Sequence, residues 1–263
     1  MVFDPLRVAP NARALALHAE AAVAPPELER HRIDGAIVEM TRACPGYHFG
    51  NRFILDRPPT AETLHRWIAR YRECFAWRSV EYPAVLTWFE PAGEAVNVAS
   101  FETEVETLFV APGEVQMVRS PLEANAIVAF SSERHWQQLV ELECATYHWG
   151  EAFMQWRASG FRALMDAGHG AYYGILGEDG TMLCAAGAYY YRDVARFAGV
   201  ITKAEQRGRG LARLLITDVL LQMQKRANTI VIAAQTGSQA ASLYARIGFT
   251  PFLYSHSMVV RLT

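Results

Sequence analysis

The residues best suited to chemistry lie in one short stretch, Arg207-Gly208-Arg209-Gly210-Leu211-Ala212. Its glycines let the backbone approach a ligand closely, and its arginines add positive charge at the same place. A strand-like run at 197–202 precedes the stretch, and an apolar helical run from 211 to about 227 follows it. The first amides of a helix have no intrahelical partner and lie at the positive end of its dipole. The pattern therefore predicts an anion-binding turn, suited to a pyrophosphate.

The stretch does not fit two better-known phosphate-binding loops. A Walker A loop closes with Gly-Lys-Ser or Gly-Lys-Thr, and the chain contains neither. A dinucleotide fingerprint needs Gly or Ala three residues after Gly210, where Arg213 stands instead. What remains is the pattern Arg-x-x-Gly-x-Ala, which an ordinary glycine-rich turn can also produce.

A second motif, Ala-Ala-Ser-Leu-Tyr-Ala-Arg-Ile-Gly-Phe, occupies residues 240–249. It predicts a short helix over 238–246 that stops at Gly248, where a glycine commonly ends a helix, and a strand from Phe249. Taken alone, Tyr244 in this helix is well explained as a core aromatic. Taken together, the two motifs and their order resemble the acyl-CoA-binding core of the GNAT superfamily, the general N-acetyltransferases, over about residues 130–263.

The resemblance implies a role for each matching position. Backbone groups on a splayed strand would line the pantetheine arm of acetyl-CoA: Val200, Ile201 and Thr202. Main-chain N–H groups would hold its pyrophosphate: Arg207, Gly208, Arg209, Gly210, Leu211 and Ala212. Tyr244 would stand near the thioester sulfur. The chain departs from the family pattern at Ala204, where Pro is common, and at Gly237 or Ser238, where the second motif usually opens with Asn.

The chemistry implied by the resemblance is direct attack of an amine on the thioester. Backbone N–H donors of the strand would stabilise the developing oxyanion. The departing thiolate has a parent pKa of about 8.5 and tyrosine one of about 10, so Tyr244 is protonated at neutral pH and can act as general acid. Such a reaction requires no nucleophilic cysteine or serine.

The group that removes the proton of the amine is not identified by the sequence. A primary amine is mostly protonated near neutral pH, so a base or a water chain is needed. Glu143 and Asp193 are candidates, and Glu205 is a poorer one because it lies on the pyrophosphate loop; for each of these carboxylates a solvated or capping role is the more common explanation. His148 and His169 are likewise more often surface or loop residues than bases.

Periodicity and turn residues divide the chain into elements. Helices are predicted at 14–24, 61–75 (with Thr60 as N-cap), 132–147, 151–167, 211–227 and 238–246. Strands are predicted at 84–89, 103–110, 171–176, 182–191, 197–202, 230–234 and in 249–262, with a hairpin turn at Asp179-Gly180. The turn-rich segment 44–51 is predicted to be a packed turn or, less simply, a substrate-contacting loop. A break near 111–125 is the predicted linker.

The predicted fold class is mixed α/β (α+β) with two domains. Residues 126–263 would form a GNAT-like catalytic domain, with a mixed, mainly antiparallel sheet flanked by helices. Residues 1–125 would form a smaller α+β domain, and the whole pattern is similar to tandem-type acetyltransferases with one degenerate copy. The first half lacks both motifs, so we expect it to wall off the acceptor site rather than bind the pyrophosphate.

Composition excludes several classes of protein. The chain has 263 residues, 51% hydrophobic residues and a formal net charge of -2, which argues against nucleic acid as the partner. It shows no leader pattern and no apolar run long enough for a membrane helix, and its four scattered cysteines form no metal-binding pair. We therefore expect a cytoplasmic monomer or homodimer, without membrane or metal.

The predicted function follows from these observations and the resemblance. The chain is expected to be an N-acetyltransferase that uses acetyl-CoA (coenzyme A) as co-substrate and a small-molecule or peptide amine as acceptor. The alternative is a non-catalytic module that binds or senses acyl-CoA.

Overall fold

The structure is a computed structural model that describes residues 12–93, 97–98, 101–113, 127–147 and 149–262. The predicted domain boundary at 125/126 and the candidate base His148 lie outside these residues. The helices are α1 (Ala12–Ala22), α2 (Ala61–Cys74), α3 (Glu133–Thr146), α4 (Glu151–Asp166), α5 (Leu211–Met223) and α6 (Gln239–Ile247). The strands are β1 (Glu29–Ile33), β2 (Ala36–Met40), β3 (Arg52–Leu55), β4 (Ala84–Glu90), β5 (Asn97–Val98), β6 (Phe101–Glu102), β7 (Glu104–Val110), β8 (Ile127–Ala129), β9 (Gly170–Leu176), β10 (Met182–Tyr191), β11 (Val194–Thr202), β12 (Thr229–Gln235) and β13 (Thr250–Val260).

The chain folds into two compact units, neither of which is continuous in sequence. The first unit takes the described part of Met1–Pro26 together with Phe109–Ile232 and Ser242–Thr250. The second takes Glu27–Leu108, Ala233–Ala241 and the described part of Pro251–Thr263. Each unit therefore contains segments from both halves of the sequence.

The first unit is a mixed, largely antiparallel sheet flanked by helices, as predicted. Its strands lie in the order β8-β9-β10-β11-β12, and β11-β12 is the parallel pair. A hydrophobic cluster joins α3 and α4 to the sheet, and its members include Trp136, Leu139, Phe161, Tyr172, Tyr189 and Ile201. Helix α5 packs on β9, β10 and β11. Burial of this apolar surface is the main force that holds the sheet and its helices together.

The second unit carries strands in the order β1-β2-β3-β4-β13 and the helix α2. Thr60 caps α2 as predicted, and Tyr71 of this helix is buried in a cluster with Phe53 and Trp88. The segment 44–51 is the packed turn: the side-chain amide of Asn51, which is fully buried, donates to the carbonyls of Cys44 (3.1 Å) and Tyr47 (2.9 Å). Its polar groups are thereby used within the fold.

Both units repeat one arrangement of elements. In the second unit β1, β2 and β3 form an antiparallel meander, and α2 leads from β3 to the parallel strand β4. In the first unit β9, β10 and β11 form the meander, and α5 leads from β11 to the parallel strand β12. The expectation that the N-terminal half shares the fold stays a prediction, because each unit combines segments of both halves.

Candidate functional site

The turn between β11 and α5 leaves the start of the helix open. Gly208 (φ 78°) and Gly210 (φ 83°) adopt left-handed backbone conformations, and Gly210 is the N-cap residue. No side chain caps α5, and a Cβ built at either glycine would have no atom within 4 Å. Leu211 is buried and anchors the helix, whereas the glycines are exposed. The amides of the first turn thus face open space, as an anion-binding cradle requires.

Two exposed arginines flank this cradle. Nε of Arg207 donates to the carbonyl of Thr202 at 3.3 Å, and Nη1 of Arg209 donates to Oε1 of Gln206. Both guanidinium groups therefore stay on the turn itself. Positive charge next to the helix start strengthens the attraction for a diphosphate.

Strand β11 separates from β12 before it reaches the turn. The two strands are paired at Val194–Arg196 with Thr229–Val231, and the structure shows no further pairing between them in the described residues of either strand. On its other edge, β11 stays paired with β10, and the amide of Lys203 donates to the carbonyl of Leu183 at 2.9 Å. Successive strand residues direct their amides to opposite edges, so the amide of Thr202 points away from β10. The predicted pantetheine strand is therefore splayed.

A β-bulge distorts β11 just before the predicted contact residues. The register with β10 changes between Ile201 and Ala198, and Gly199 within this step has φ of 54°. The hydroxyl of Tyr172 donates to the carbonyl of Gly199 at 3.2 Å, and a Cβ at this position would lie 2.2 Å from that hydroxyl oxygen. Only glycine fits here. The strand predicted at 197–202 did not include this bulge, although a glycine inside a strand-like run is its usual signal.

A buried ion pair lies beside this bulge. Nη1 of Arg157 on α4 donates to Oε1 of Glu143 on α3, whose side chain is 1% exposed. Oε2 of Glu143 is also buried and has no hydrogen-bond partner in the described structure. Nη2 of Arg157 lies 3.4 Å from the Cβ position of residue 199, so the pair borders the bulge. Burial raises the pKa of Glu143, and the charge and hydrogen bond of Arg157 oppose that rise.

The other candidate bases lie elsewhere. Asp193 precedes β11, whose nine residues separate it from Thr202 by roughly 30 Å of extended chain. His169 lies at the same far end, since its carbonyl accepts from the amide of Tyr190. Glu205 is exposed in a short 3₁₀ turn next to Arg207. Of the candidates that the structure describes, Glu143 is the carboxylate that borders the bulge.

Tyr244 is buried in an aromatic cluster of the first unit. Its ring is 4% exposed and meets Phe109 edge-to-face at 6.0 Å between centroids. Phe249 lies 6.2 Å from Tyr244 and 6.3 Å from Phe197 of β11. The cluster therefore links α6 to the splayed strand.

The two departures from the family pattern have local explanations. Ser238 acts as a cap, because its hydroxyl accepts from the amide of Ala241 in α6 at 3.1 Å. Gly237 makes the preceding turn with φ of 76°. Ala204 opens the 3₁₀ turn that leads to Arg207. Ser238 thus caps α6 as an Asn could, but its side chain is shorter than that of Asn.

The site thus combines a parallel strand pair that separates towards its end with an uncapped helix that begins after a glycine. Residues 147–256 match the family described as acetyltransferase (GNAT) domain. Residues 147–256 thus carry a GNAT acetyltransferase domain, a family whose members use acetyl-CoA as co-substrate.

Solved structures share the fold along almost the whole chain. A functionally unknown conserved protein from Staphylococcus epidermidis has a TM-score of 0.69 at 12% identity, with 89% of this chain and 94% of that chain covered. A GCN5-related N-acetyltransferase from Kribbella flavida has a TM-score of 0.68 at 16% identity, with 95% of each chain covered. A tandem GNAT protein from the clavulanic acid biosynthesis pathway has a TM-score of 0.58 at 14% identity, with 100% and 98% covered. No curated protein matches the sequence significantly.

Three further observations complete the description of the molecule. Among the described residues, no helix combines the length and apolar character needed to cross a bilayer. Within the same part of the chain, no group of His, Cys, Asp and Glu side chains is arranged to hold a metal ion. The four cysteines are free thiols, and Cys184 is buried.

Proposed function

We propose that this chain is an N-acetyltransferase that transfers the acetyl group of acetyl-CoA to a primary amine of a small molecule or peptide. One observation carries the proposal: within a GNAT domain, the open start of α5 lies shortly after the end of β11 that is not paired with β12. Acetyl-CoA supplies a thioester whose carbonyl carbon accepts an amine nucleophile. The residues described above fit the three chemically distinct parts of that co-substrate.

The first part is the diphosphate. The main-chain amides over Arg207–Ala212 would bind it, because they face open space and lie at the positive end of α5. The second part is the pantetheine arm, whose amide groups can form hydrogen bonds with backbone groups at a free strand edge. Backbone groups of Val200, Ile201 and Thr202 would hold it, which accounts for the separation of β11 from β12.

The third part is the reacting centre, where two protons must move. We assign the removal of the ammonium proton to Glu143, directly or through a water molecule. An amine with a pKa of up to about 10.4 is mostly protonated at neutral pH and does not attack until it loses that proton. A buried carboxylate with a raised pKa is a stronger base than an exposed one, and Arg157 holds Glu143 in a single orientation beside the bulge.

The second proton goes to the departing sulfur, and we assign its donation to Tyr244. The position matches the family motif, and the buried aromatic cluster fixes the ring. Tyr244→Phe removes the hydroxyl and keeps the ring. We expect kcat to fall by about tenfold or more, since proton transfer by a positioned group contributes at least that much, while the Kd for coenzyme A changes less than about twofold. Full activity of this variant would remove the general-acid assignment and leave the rest of the proposal intact.

The proposed function is tested by two measurements on the wild-type chain. Isothermal titration should show saturable binding of coenzyme A, and a thiol reagent should detect release of coenzyme A from acetyl-CoA only when an amine is supplied. Absence of binding overturns the proposal. Binding without turnover across a broad amine panel would support the acyl-CoA-sensing alternative instead.

The base assignment is tested by the pH profile. Glu143→Gln should lower kcat/KM by about 100-fold and abolish the acidic limb of the profile, because no carboxylate remains to deprotonate. Glu141→Gln, a change of an exposed residue on the same helix, is the matched control. Arg157→Met removes the charge that lowers the pKa of Glu143, so the acidic limb should move to higher pH. An unchanged limb in both variants would exclude Glu143 as the base.

A further inference from the structure

A cavity of about 590 Å³ lies between the end of α5 and the strands β9 and β10 of the first unit. Its volume falls within the range of roughly 300–1,000 Å³ that small-molecule sites occupy. Two strands, the helix and the turn after the helix supply its lining: Tyr173, Tyr190, Asp218, Leu221, Gln222, Lys225 and Arg226. This space is called the tyrosine cavity below.

The tyrosine cavity is separate from the turn proposed to bind coenzyme A. Helix α5 has 13 residues and begins at that turn, so its other end lies about 20 Å away along the helix axis. Tyr190 likewise pairs with Ala195, near the start of β11, and not with the end of that strand at Thr202. A molecule in the cavity therefore does not occupy the proposed co-substrate site.

One cation of the cavity is held on an aromatic face. The Cζ atom of Arg226 lies over the ring of Tyr190, 4.3 Å from its centroid. A guanidinium group stacked on a ring keeps the N–H groups at its edge free for a carboxylate. The backbone of this turn is already bonded, because the amides of Lys225 and Arg226 donate to the carbonyls of Gln222 (3.2 Å) and Met223 (2.9 Å). The two cationic side chains are thus not needed to cap the end of α5.

The charged groups of the lining leave one positive charge in excess. Lys225 and Arg226 are exposed, and neither forms an ion pair within the described residues. Asp218 is the carboxylate of the lining, and its Oδ2 accepts from Nε2 of Gln222 at 2.8 Å. Two cations against one carboxylate match a monoanion better than a dianionic phosphate.

The two phenols complete a set of hydrogen-bond donors. Both tyrosine side chains are half-buried, and neither hydroxyl has a hydrogen-bond partner within the described part of the chain. Burial raises the pKa of Tyr173 and of Tyr190, and the charge of Arg226 opposes that rise at both. The phenols are therefore protonated at neutral pH and can donate to a carboxylate. Their rings offer an apolar surface to a flat ring.

We propose that the tyrosine cavity is a second ligand site of this chain and that its ligand is an aromatic carboxylate. The carboxylate pairs with the edge of Arg226 and with Lys225, and the ring of the ligand lies against Tyr173 and Tyr190. An amine is repelled by the excess positive charge, and an uncharged ring gains nothing from it. The inference does not depend on the proposed function, because no residue of the cavity takes part in the proposed acetyl transfer.

The test compares 2-naphthoate with 2-naphthamide, a neutral molecule of nearly the same shape, by isothermal titration. For wild-type protein the Kd should be about tenfold lower for the acid, because charge-assisted hydrogen bonds are stronger than neutral ones. Arg226→Gln should remove this preference by raising the Kd for 2-naphthoate about tenfold. Lys225→Gln should raise it about threefold, since an exposed ammonium is well screened.

The matched control is Arg192→Gln. Arg192 also lies over a tyrosine ring, that of Tyr191, at 5.4 Å, but it is not among the residues that line the cavity. This variant should leave the Kd of both molecules unchanged. Equal Kd values for the acid and the amide in wild-type protein, or an equal rise in Arg192→Gln and Arg226→Gln, would overturn the proposal. So would the absence of any binding of 2-naphthoate.

Competition shows where the acid binds. Saturating coenzyme A should leave the Kd for 2-naphthoate unchanged, because the two sites lie at opposite ends of α5. Displacement of the acid by coenzyme A, with undiminished binding in Arg226→Gln, would assign the acid to the start of α5 and overturn the inference. Binding of 2-naphthoate that Arg226→Gln weakens would support the cavity even if the wild-type protein transferred no acetyl group, an outcome that counts against the proposed function alone.

Discussion

Helices α2 and α5 occupy the same place in the two repeated arrangements, yet they begin in different ways. At α2 the hydroxyl of Thr60 accepts from the amide of Thr63 at 3.2 Å, and the hydroxyl of Thr63 accepts from the amide of Thr60 at 2.8 Å. The two residues before Thr60 are prolines, which have no amide to donate. At α5 the N-cap is Gly210, and no side chain reaches the helix start.

The difference shows how one topology can carry or lose an anion site. A capping box uses the donors that a phosphate would need, so α2 is stable without a ligand. At α5 the donors are left open, and the glycines that keep them open contribute nothing to helix stability. In the second unit the first amides of α2 are used by the cap of the helix itself, and the loss of pyrophosphate binding in the N-terminal half stays a prediction.

A second comparison concerns the buried carboxylates of the two units. Glu39 in β2 accepts from Nε of Arg30 at 2.9 Å and from Nε of Arg52 at 2.8 Å, so both of its oxygens are bonded. Glu143 has Arg157 on one oxygen and no hydrogen-bond partner on the other within the described structure. Arginines thus use both oxygens of Glu39, whereas Glu143 keeps one oxygen that accepts no hydrogen bond in the described structure.

The largest expected effect breaks the open start of α5. Gly210→Val forces a β-branched residue into a left-handed conformation, at a cost of about 1–2 kcal/mol, and fills the space above the first-turn amides. We expect the Kd for coenzyme A to rise about 100-fold, or about 2.7 kcal/mol, in isothermal titration.

The control for this variant is Gly168→Val. Gly168 has nearly the same backbone conformation (φ 78°) and equally open surroundings, but it lies after α4. Both variants should lose similar stability in thermal unfolding, and only Gly210→Val should lose affinity. Equal affinities in the two variants would mean that the start of α5 does not bind the diphosphate.

Local sequence patterns predicted most elements of both units, because each element carries its own signal. The hairpin turn is an example: Gly180 has φ of 76°, and Oδ1 of Asp179 accepts from the amide of Thr181 at 2.9 Å. Strands β1, β2 and β3 were missed. The residues of β1, Glu-Arg-His-Arg-Ile, show no apolar alternation. Strand β3 buries Arg52, which pairs with Glu39.

The features that sequence patterns could not predict all depend on distant pairing. Glu143 and Arg157 lie on different helices, and neither helix alone marks them as partners. The C-terminal strand β13 pairs with β4, more than half the chain away, so both units are discontinuous. A fully buried strand shows no alternation of apolar and polar residues. Pairing between segments that lie far apart in the sequence cannot be read from either segment alone. The motifs around Gly210 and Tyr244 could be recognised in the sequence because each contains a glycine at a position where the backbone adopts a positive φ.

A smaller effect is expected from the charges at the two turns. Replacing both Arg207 and Arg209 by Gln should raise the Kd for coenzyme A about tenfold at low salt, because exposed charges near a diphosphate contribute modestly and are screened. The affinity of this double variant should also depend less on salt than that of the wild type. Arg57→Gln removes an exposed arginine at the corresponding turn before α2 and is the control. An equal loss in Arg57→Gln would indicate a general electrostatic effect rather than a local one.

The smallest effect should come from the capped helix. Thr60→Ala removes the hydroxyl that bonds the amide of Thr63, and chemical denaturation should show a loss of about 1 kcal/mol in the free energy of unfolding. Thr60→Ser keeps the hydroxyl and should lose much less. Neither variant should change the Kd for coenzyme A, because the capping box of α2 uses its first-turn amide within the helix itself. A weaker Kd in Thr60→Ala, with α5 unaltered, would show that the second unit takes part in binding the co-substrate and that its cap is more than a structural device.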